Sequence, residues 1–298
     1  MNQYQLLDFG DGRKLERFGP WVLDRPCPAA VGVSKANLSQ WNQATAQFTG
    51  ERTTDGVWLR RDKRWQSDEV AVVVQEALPK ALTFHLAPLP SGQVGLFPEQ
   101  RANWQWIMEQ TERAIHRAGR SLKGAGQSLK VLNLFAYTGG STMATALMGA
   151  EVTHVDAAKS VVSRARENAK ASSNQELQIR WIVEDAVKFC QREVRRGNKY
   201  DAVILDPPSY GHGPQGQAWS IQRGLLPLLN LCGQLTSDYR AFVLVTCHTP
   251  SIGPAELNAY LADGIFGHCG MPARTGTLNL ESADGRQLPS GIYARWPG

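Results

Sequence analysis

Short apolar runs alternate with amphipathic stretches along the second two-thirds of the chain. The runs LKVLNLF (129–135), EVTHVD (151–156), QIRWIVE (178–184), YDAVILD (200–206) and RAFVLVTC (240–247) have the length and β-branched content of buried strands. Between them, STMATALMG (141–149), AAKSVVSRARENAKAS (157–172), VKFCQREVRRG (187–197) and WSIQRGLLPLLNLCGQL (219–235) space their apolar residues as helices do. Pro227 predicts a kink or break in the last of these, because proline cannot donate to the preceding turn. ANWQWIMEQTERAIHRAG (102–119) predicts a helix leading into the series. Strands and helices alternating at this spacing imply a mainly parallel sheet wrapped by helices, an α/β Rossmann-like fold.

The first stretch of chain follows a different pattern. VWLRRDKRW (57–65), EVAVVVQ (69–75), LTFHLAP (82–88) and QVGLF (93–97) have strand composition, and Pro88, Pro90 and Gly92 punctuate them. The expected organisation is therefore a β-rich accessory domain over 1–96, a candidate for substrate binding, and an α/β domain over 97–298. SGIYARW (290–296) is expected to close the second sheet as an antiparallel strand. Trp21, Trp41, Trp58 and Trp65 are dense enough to form a base-stacking surface, but aromatics at this density read first as core.

Composition narrows the class. The 298 residues are 42% hydrophobic and 20% charged, so whole-chain disorder, collagen and coiled coil are excluded. No apolar run approaches the ~20 residues of a membrane span, and the N-terminus lacks the basic-then-apolar pattern of a signal peptide. The five cysteines (27, 190, 232, 247 and 269) show no CxxC pair. Neither a disulfide framework nor a structural zinc site is expected, and reduced thiols in the cytoplasm follow. The net charge of +5 is compatible with a nucleic-acid partner without requiring one.

The chemistry gathers at the ends of the strands, where open parallel sheets bind ligands. The first ends in Asn133-Leu134-Phe135-Ala136-Tyr137-Thr138-Gly139-Gly140. Paired glycines before a helix permit a tight turn and close ligand approach. This is not G-x-G-x-x-G, so a nicotinamide oxidoreductase is disfavoured. The second run ends in Asp156, placed either to accept from ribose hydroxyls or to cap the next helix. The third ends in Glu184-Asp185-Ala186, with the same two readings for Asp185: an adenine contact or a cap. The fourth ends in Asp206-Pro207-Pro208-Ser209-Tyr210, where two prolines stiffen a wall suited to a planar acceptor.

Taken together, these residues resemble the class I S-adenosylmethionine (SAM) methyltransferases, and among them the bacterial ribosomal-RNA large-subunit enzymes, cytosine-C5 methyltransferases included. The resemblance rests on Asn133, Phe135, Tyr137, Thr138, Gly139 and Gly140 and on Asp206 to Tyr210. It implies SAM as cofactor, held by 133–140, by Asp156 and Ala157 at the ribose, by Asp185 and Ala186 at the adenine, and by Asp206 and Pro207. G-L-F-P-E-Q-R (95–101) resembles the family's G-x-F-x-D-Q-R segment over the cofactor. That adds Gln100 and Arg101, with Glu99 standing where the family has Asp. Pro208, Ser209 and Tyr210 would meet the substrate.

Cytosine C5 becomes nucleophilic only after a thiolate adds to C6, and Val245-Thr246-Cys247-His248 supplies a cysteine at a strand end. The resemblance makes Cys247 the nucleophile and Asp206 the group at the pyrimidine N3/N4 edge. A small buried hydrophobe is the other reading of Cys247. Ser209 replaces the cysteine that many RNA C5 enzymes carry for adduct release. His248, next along an extended segment, is expected to point away from Cys247. RNA recognition would fall to residues 1–95 and to basic stretches such as Arg60 to Arg64 and Arg192 to Lys199. The expected function is methylation of a ribosomal RNA base, cytosine C5 first. A SAM-dependent N-methyltransferase of a base, protein or small molecule is the alternative, and a non-catalytic RNA-binding module a third reading.

Overall fold

The computed structural model describes residues 3–50, 56–60, 69–76, 78–121, 128–212, 218–270 and 272–298. These form two compact units. The first comprises residues 1–100 together with 279–290, and the second 101–278 together with 291–298. The division thus falls at Gln100/Arg101 rather than at 96/97, and a C-terminal segment joins the first unit.

In the first unit, β1 (Tyr4–Gly10), β2 (Arg13–Phe18), β3 (Trp21–Pro26), β4 (Ala46–Phe48) and β5 (Trp58–Arg60) form a five-stranded sheet in sequence order, with α1 (Leu38–Trp41) before β4. Asp11 and Gly12 both have positive φ, 52° and 71°, which matches the turn to the twist of the β1–β2 hairpin. β6 (Val70–Val74) and β7 (Leu82–Leu86) pair separately. The apolar pattern misses β1 to β3 because their buried positions include charged residues. Asp8, Glu16, Asp24 and Arg25 are all buried. Arg25 donates to Glu16 Oε2 from Nε at 2.9 Å and from Nη2 at 2.5 Å, and Tyr4 donates to Glu16 Oε1 at 3.1 Å. The expected strand over 93–97 does not form: Leu89 N donates to Gln93 O and Ala87 N to Val94 O, closing a turn. Trp21 and Trp41 are buried as core, whereas Arg61 to Arg64 and Trp65 lie outside the described residues.

The second unit opens with α2 (Arg101–Ser121). It continues with β8 (Lys130–Leu134), α3 (Gly140–Ala146), β9 (Glu151–Asp156), α4 (Lys159–Ser172), β10 (Ile179–Val183), α5 (Ala186–Arg195) and β11 (Ala202–Leu205). A short hairpin of β12 (Tyr210–His212) and β13 (Ala218–Ser220) precedes α6 (Ile221–Leu235) and β14 (Phe242–Cys247). α7 (Pro254–Leu261), a π-helical turn (Ala262–Phe266), β15 (Arg274–Glu281) and β16 (Gln287–Trp296) complete it. The seven-stranded sheet runs β10-β9-β8-β11-β14-β16-β15. The strands from β10 to β14 in that order are parallel, and β16 runs antiparallel to β14 as expected. Strand order reverses between β8 and β11, the topological switch point where a ligand crevice is expected.

Every residue of β11 and β14 is buried, which is why they read as continuous apolar runs. Leu225, Leu228 and Leu229 of α6 pack with Leu132, Val203 and Val245 of the sheet in one core. That burial outweighs the ~3 kcal/mol expected cost of an internal proline, so α6 runs through Pro227 as a single helix instead of breaking there. The helix starts at Ile221, two residues later than the pattern suggests, because Trp219 pairs in β13 with Gly211 of β12.

Candidate active site

The loop after β8 has an unusual backbone. Phe135, Tyr137 and Gly139 all have positive φ (53°, 48° and 89°). For non-glycine residues this costs about 1–2 kcal/mol each, so the surroundings must hold it. They do. Tyr137 N donates to Asp156 Oδ2 at 2.9 Å, Ala136 N to Val155 O at 3.1 Å, and Asn168 Nδ2 to Thr138 O at 2.9 Å. The Phe135 ring packs 5.0 Å from that of Trp219. The strain therefore sits at the switch point, where alternate residues turn the backbone back on itself.

Packing alone already constrains the two glycines. A Cβ on Gly139 would meet Ala165 Cβ at 3.2 Å, and one on Gly140 would meet the Trp104 ring at 2.6 Å. Gly140 is thus required by the packing of α2 on α3. Asn133 is also drawn inward: its Nδ2 donates to Thr142 Oγ1 at 2.8 Å, and that hydroxyl lies 2.9 Å from His154 Nδ1. Asn133 thus fastens β8 to α3 and β9. Burial, helped by the positive charge of Arg166, pushes the His154 imidazole down to about 3, so this network is neutral.

Asp156 stands at the end of β9, half-buried. Its Oδ1 accepts from Ala158 N at 3.0 Å, while Oδ2 takes the Tyr137 amide. Burial raises its pKa from 3.8, and the backbone donors offset only part of that. One carboxylate therefore fixes both the strained loop and the start of α4, with lone pairs left over for hydroxyl donors. Asp185 caps α5 through Oδ1, which accepts from Lys188 N at 2.9 Å. The cap reading holds, and Oδ2 is not used by it. Ala186, the first residue of α5, is buried in the core. Val183, at the tip of β10 and in register with Asp156, is 43% exposed and adds an apolar surface that the pattern of the strand does not announce.

Across the switch point, Asp206 follows β11. Its Oδ1 accepts from the Thr246 hydroxyl and lies 3.2 Å from His248 Nε2. Both partners come from the end of β14. Ser209 Oγ lies 2.6 Å from Thr249 Oγ1, and Trp219 Nε1 donates to Pro208 O at 2.7 Å. These bonds fasten the Asp206-Pro207-Pro208-Ser209 turn at both ends. Pro207 is buried and Pro208 exposed, and the Tyr210 side chain stands out at 73% exposure.

Cys247 takes the other face of β14. Alternation sends Thr246 and His248 toward Asp206 and Cys247 into the core with Ile252 and Leu257. It is 1% exposed, and Thr249 N approaches its sulfur at 3.5 Å. Burial raises its thiol pKa above 9.0, and the negative charge of Asp206 adds to the effect. The cysteine expected as nucleophile is thus a buried thiol with a raised pKa here. Cys190 and Cys232 are buried, as their helix faces suggest, and Cys269 is exposed.

Thr249 and Trp219 are residues of this site that the motifs do not single out, and the bonding of Thr246 and His248 to Asp206 is not foreseen by them either. Gln100 ends the first unit and Arg101 opens the second. Among the described residues no group of three or more His, Cys, Asp or Glu is placed to hold a metal ion, and no helix is long and apolar enough to cross a membrane.

A family model described as S-adenosylmethionine-dependent methyltransferase matches residues 62–261. The chain belongs to this family. A SAM-dependent methyltransferase from Agrobacterium tumefaciens superposes with a TM-score of 0.84 at 30% identity, over 99% of this chain and 90% of that one. SMU.776, solved in complex with SAH, superposes at 0.70 over 99% of this chain and 75% of that one. At 15% identity it speaks for the fold alone. Ribosomal RNA large subunit methyltransferase I of Aeromonas salmonicida is 26% identical over 207 residues, 68% of this chain and 48% of that protein. Methyltransferase K/L of Shewanella frigidimarina is 30% identical over 130 residues, 40% of this chain and 18% of that protein. The chain thus spans about half or less of the length of these two ribosomal RNA methyltransferases. Its cofactor is S-adenosylmethionine, and the switch-point crevice fits that group. Asp156 can accept from a ribose diol, Asp185 from an exocyclic amine, and the strained 135–139 backbone can face the amino-acid end.

Proposed function

We propose that the methyltransferase modifies a base of large-subunit ribosomal RNA, and that the modified atom is cytosine C5. The observation that carries the reading is local. The two residues that grip the Asp206 carboxylate, Thr246 and His248, flank Cys247 in the chain, so the carboxylate and the cysteine stand at the ends of neighbouring parallel strands. The names of the relatives supply the substrate class.

Bound SAM supplies an activated methyl carbon. The protein's own part is to present the acceptor in line behind it. In this reading the base lies against Pro208 and the exposed Tyr210 ring. The Cys247 sulfur bonds to C6, and its proton passes through Asp206 to N3, so the ring electron pair moves to C5 and takes the methyl. His248 then removes the C5 proton, the C6–S bond breaks, and the N3 proton returns to sulfur through Asp206. One proton is left on His248 per turnover, and the thiol is regenerated. For sulfur to reach C6, the segment from Cys247 to Ile252 must turn out of the core.

The burial of Cys247 favours a second reading, transfer to a base nitrogen. Here Asp206 accepts from the acceptor N–H and Cys247 stays inert. Large-subunit RNA is incubated with the wild type and with Cys247→Ala, and the modified nucleotide is located by mass spectrometry. Loss of 5-methylcytidine, together with loss of a covalent adduct to 5-fluorocytidine RNA, supports C5. Full activity in Cys247→Ala with methyl on nitrogen overturns it.

A further inference from the structure

Residues 157–200 hold ten Lys and Arg against five Asp and Glu. That excess of five equals the formal charge of the whole chain, +5. The rest of the protein is electrically balanced. The segment builds α4, β10 and α5, and β10 is the edge strand of the seven-stranded sheet.

The cations lie on both faces of that edge. Arg166, from α4, stacks on Trp181 with its guanidinium carbon 5.9 Å from the ring centroid. On the other face, Arg180 lies 6.0 Å from the Phe189 ring of α5 and 3.7 Å from Glu193. Arg196 lies 3.2 Å from the same Glu193. Glu193 is fully buried and also accepts from Asn198 and Tyr200. One carboxylate thus serves two guanidiniums, which leaves the surplus positive. Arg166, Lys170, Arg180 and Arg196 are all exposed.

We infer that the outer edge of β10, bracketed by Arg166 and Lys170 on one side and Arg180 and Arg196 on the other, binds the phosphodiester backbone of the RNA. This rests on the RNA reading above. Stacked or paired guanidiniums lose little freedom on binding a phosphate and match its geometry with two donors. β10 stands three strand spacings from β11, about 14 Å at ~4.8 Å each. A strand whose target base occupied the Asp206 end would therefore carry flanking phosphates toward this edge.

The test uses the full-length protein, a fluorescent single-stranded RNA of mixed sequence, and large-subunit RNA as competitor. Arg166→Ala/Arg180→Ala/Arg196→Ala is expected to bind at least tenfold more weakly at physiological salt. Its slope of log K against log[salt] should fall by about two, at ~0.7 for each phosphate no longer neutralised. KM for RNA should rise while kcat and SAM affinity hold. Because Arg180 and Arg196 support a buried acid, Arg166→Ala/Lys170→Ala serves as a second variant that leaves Glu193 untouched, with a slope lower by about 1.4. Wild-type affinity and slope in both variants overturn the inference and leave the RNA reading standing, even if the variants aggregate more readily through the edge. A wild type that binds no RNA overturns both.

Discussion

The Asp206 carboxylate and the His248 imidazole meet at 3.2 Å, Oδ1 to Nε2, and so link the ends of two neighbouring parallel strands. The Thr246 hydroxyl donates to the same oxygen. Asp206→Asn keeps the shape and removes the charge. We expect kcat to fall by about 10²–10⁴, the range for loss of a positioned proton-transfer group. The melting temperature should move only a few degrees, since the side chain is 31% exposed. Steady-state methylation of large-subunit RNA, with thermal unfolding alongside, checks both.

Thiol chemistry reads the burial of Cys247 directly. Its raised pKa leaves less thiolate at neutral pH than an ordinary cysteine has. At pH 7.5 iodoacetamide should label exposed Cys269 first and Cys247 many times more slowly, the gap narrowing only as pH rises above 9. Peptide mapping by mass spectrometry measures both rates. Faster labelling of Cys247 on adding RNA would show the thiol being uncovered by substrate.

Asp156 is a carboxylate whose folded pKa is raised, with burial the leading cause. The folded state therefore binds its proton more readily than the unfolded chain does. Between the ordinary value of 3.8 and its own higher value, this group's contribution to stability improves as pH falls. Affinity for SAM should move the opposite way. It should weaken as pH drops through the raised value, because the protonated acid loses acceptor capacity. Asp156→Ala should show weak SAM binding at every pH. Calorimetric titration from pH 8 down through the ordinary value of 3.8 tests this, and a flat wild-type profile over that whole range contradicts it.

In the first unit, burial raises the Glu16 carboxyl, but Arg25 and Lys14 outweigh it and hold it below 4.5. Glu16 thus stabilises the fold at neutral pH and loses that contribution as pH falls through its lowered value. Arg25→Met leaves the buried carboxylate with Lys14 and the Tyr4 hydroxyl as its remaining partners and should cost about 3 kcal/mol, the lower end for breaking a buried pair. Denaturant unfolding at pH 7 measures it, and lowering the pH should narrow the difference from wild type.

Gly140→Ala places a methyl within 2.6 Å of the Trp104 ring. The expected cost is about 1–3 kcal/mol. SAM affinity should fall with it, because the N-terminus of α3 follows the strained loop. Trp104→Leu in the same chain should recover much of the loss, whereas a glycine serving only to admit the ligand would not be rescued from that side.

The parallel strands are legible in the chain because β11 and β14 are buried on both faces and so consist of uninterrupted apolar residues. Asp206 is legible for the same reason, as the first polar residue after such a run, whereas Asp156 and Asp185 are legible as the acids that close β-branched runs ahead of a helix. The hairpins of the first unit are not legible, since Glu16 and Arg25 sit inside it as a neutralised pair and interrupt the alternation. The partners of Asp206 lie 40 and 42 residues further along. No local spacing encodes that meeting, which depends on β14 lying beside β11. The role of Gly140 likewise depends on a tryptophan from a helix that begins before the sheet.

The hairpin of β15 and β16 starts and ends in the second unit, while its middle, residues 279–290, belongs to the first. Leu280 and Leu288 join Leu6, Phe9, Cys27 and Ala30 in one cluster, and Arg286 bonds to Asp8 and to the carbonyl of Phe9. A gene cut after codon 100 would therefore encode an N-terminal fragment with holes in its interior and an aspartate missing its cation. Anyone dissecting this protein would need to graft the missing twelve residues back, or accept that its halves were woven from one thread.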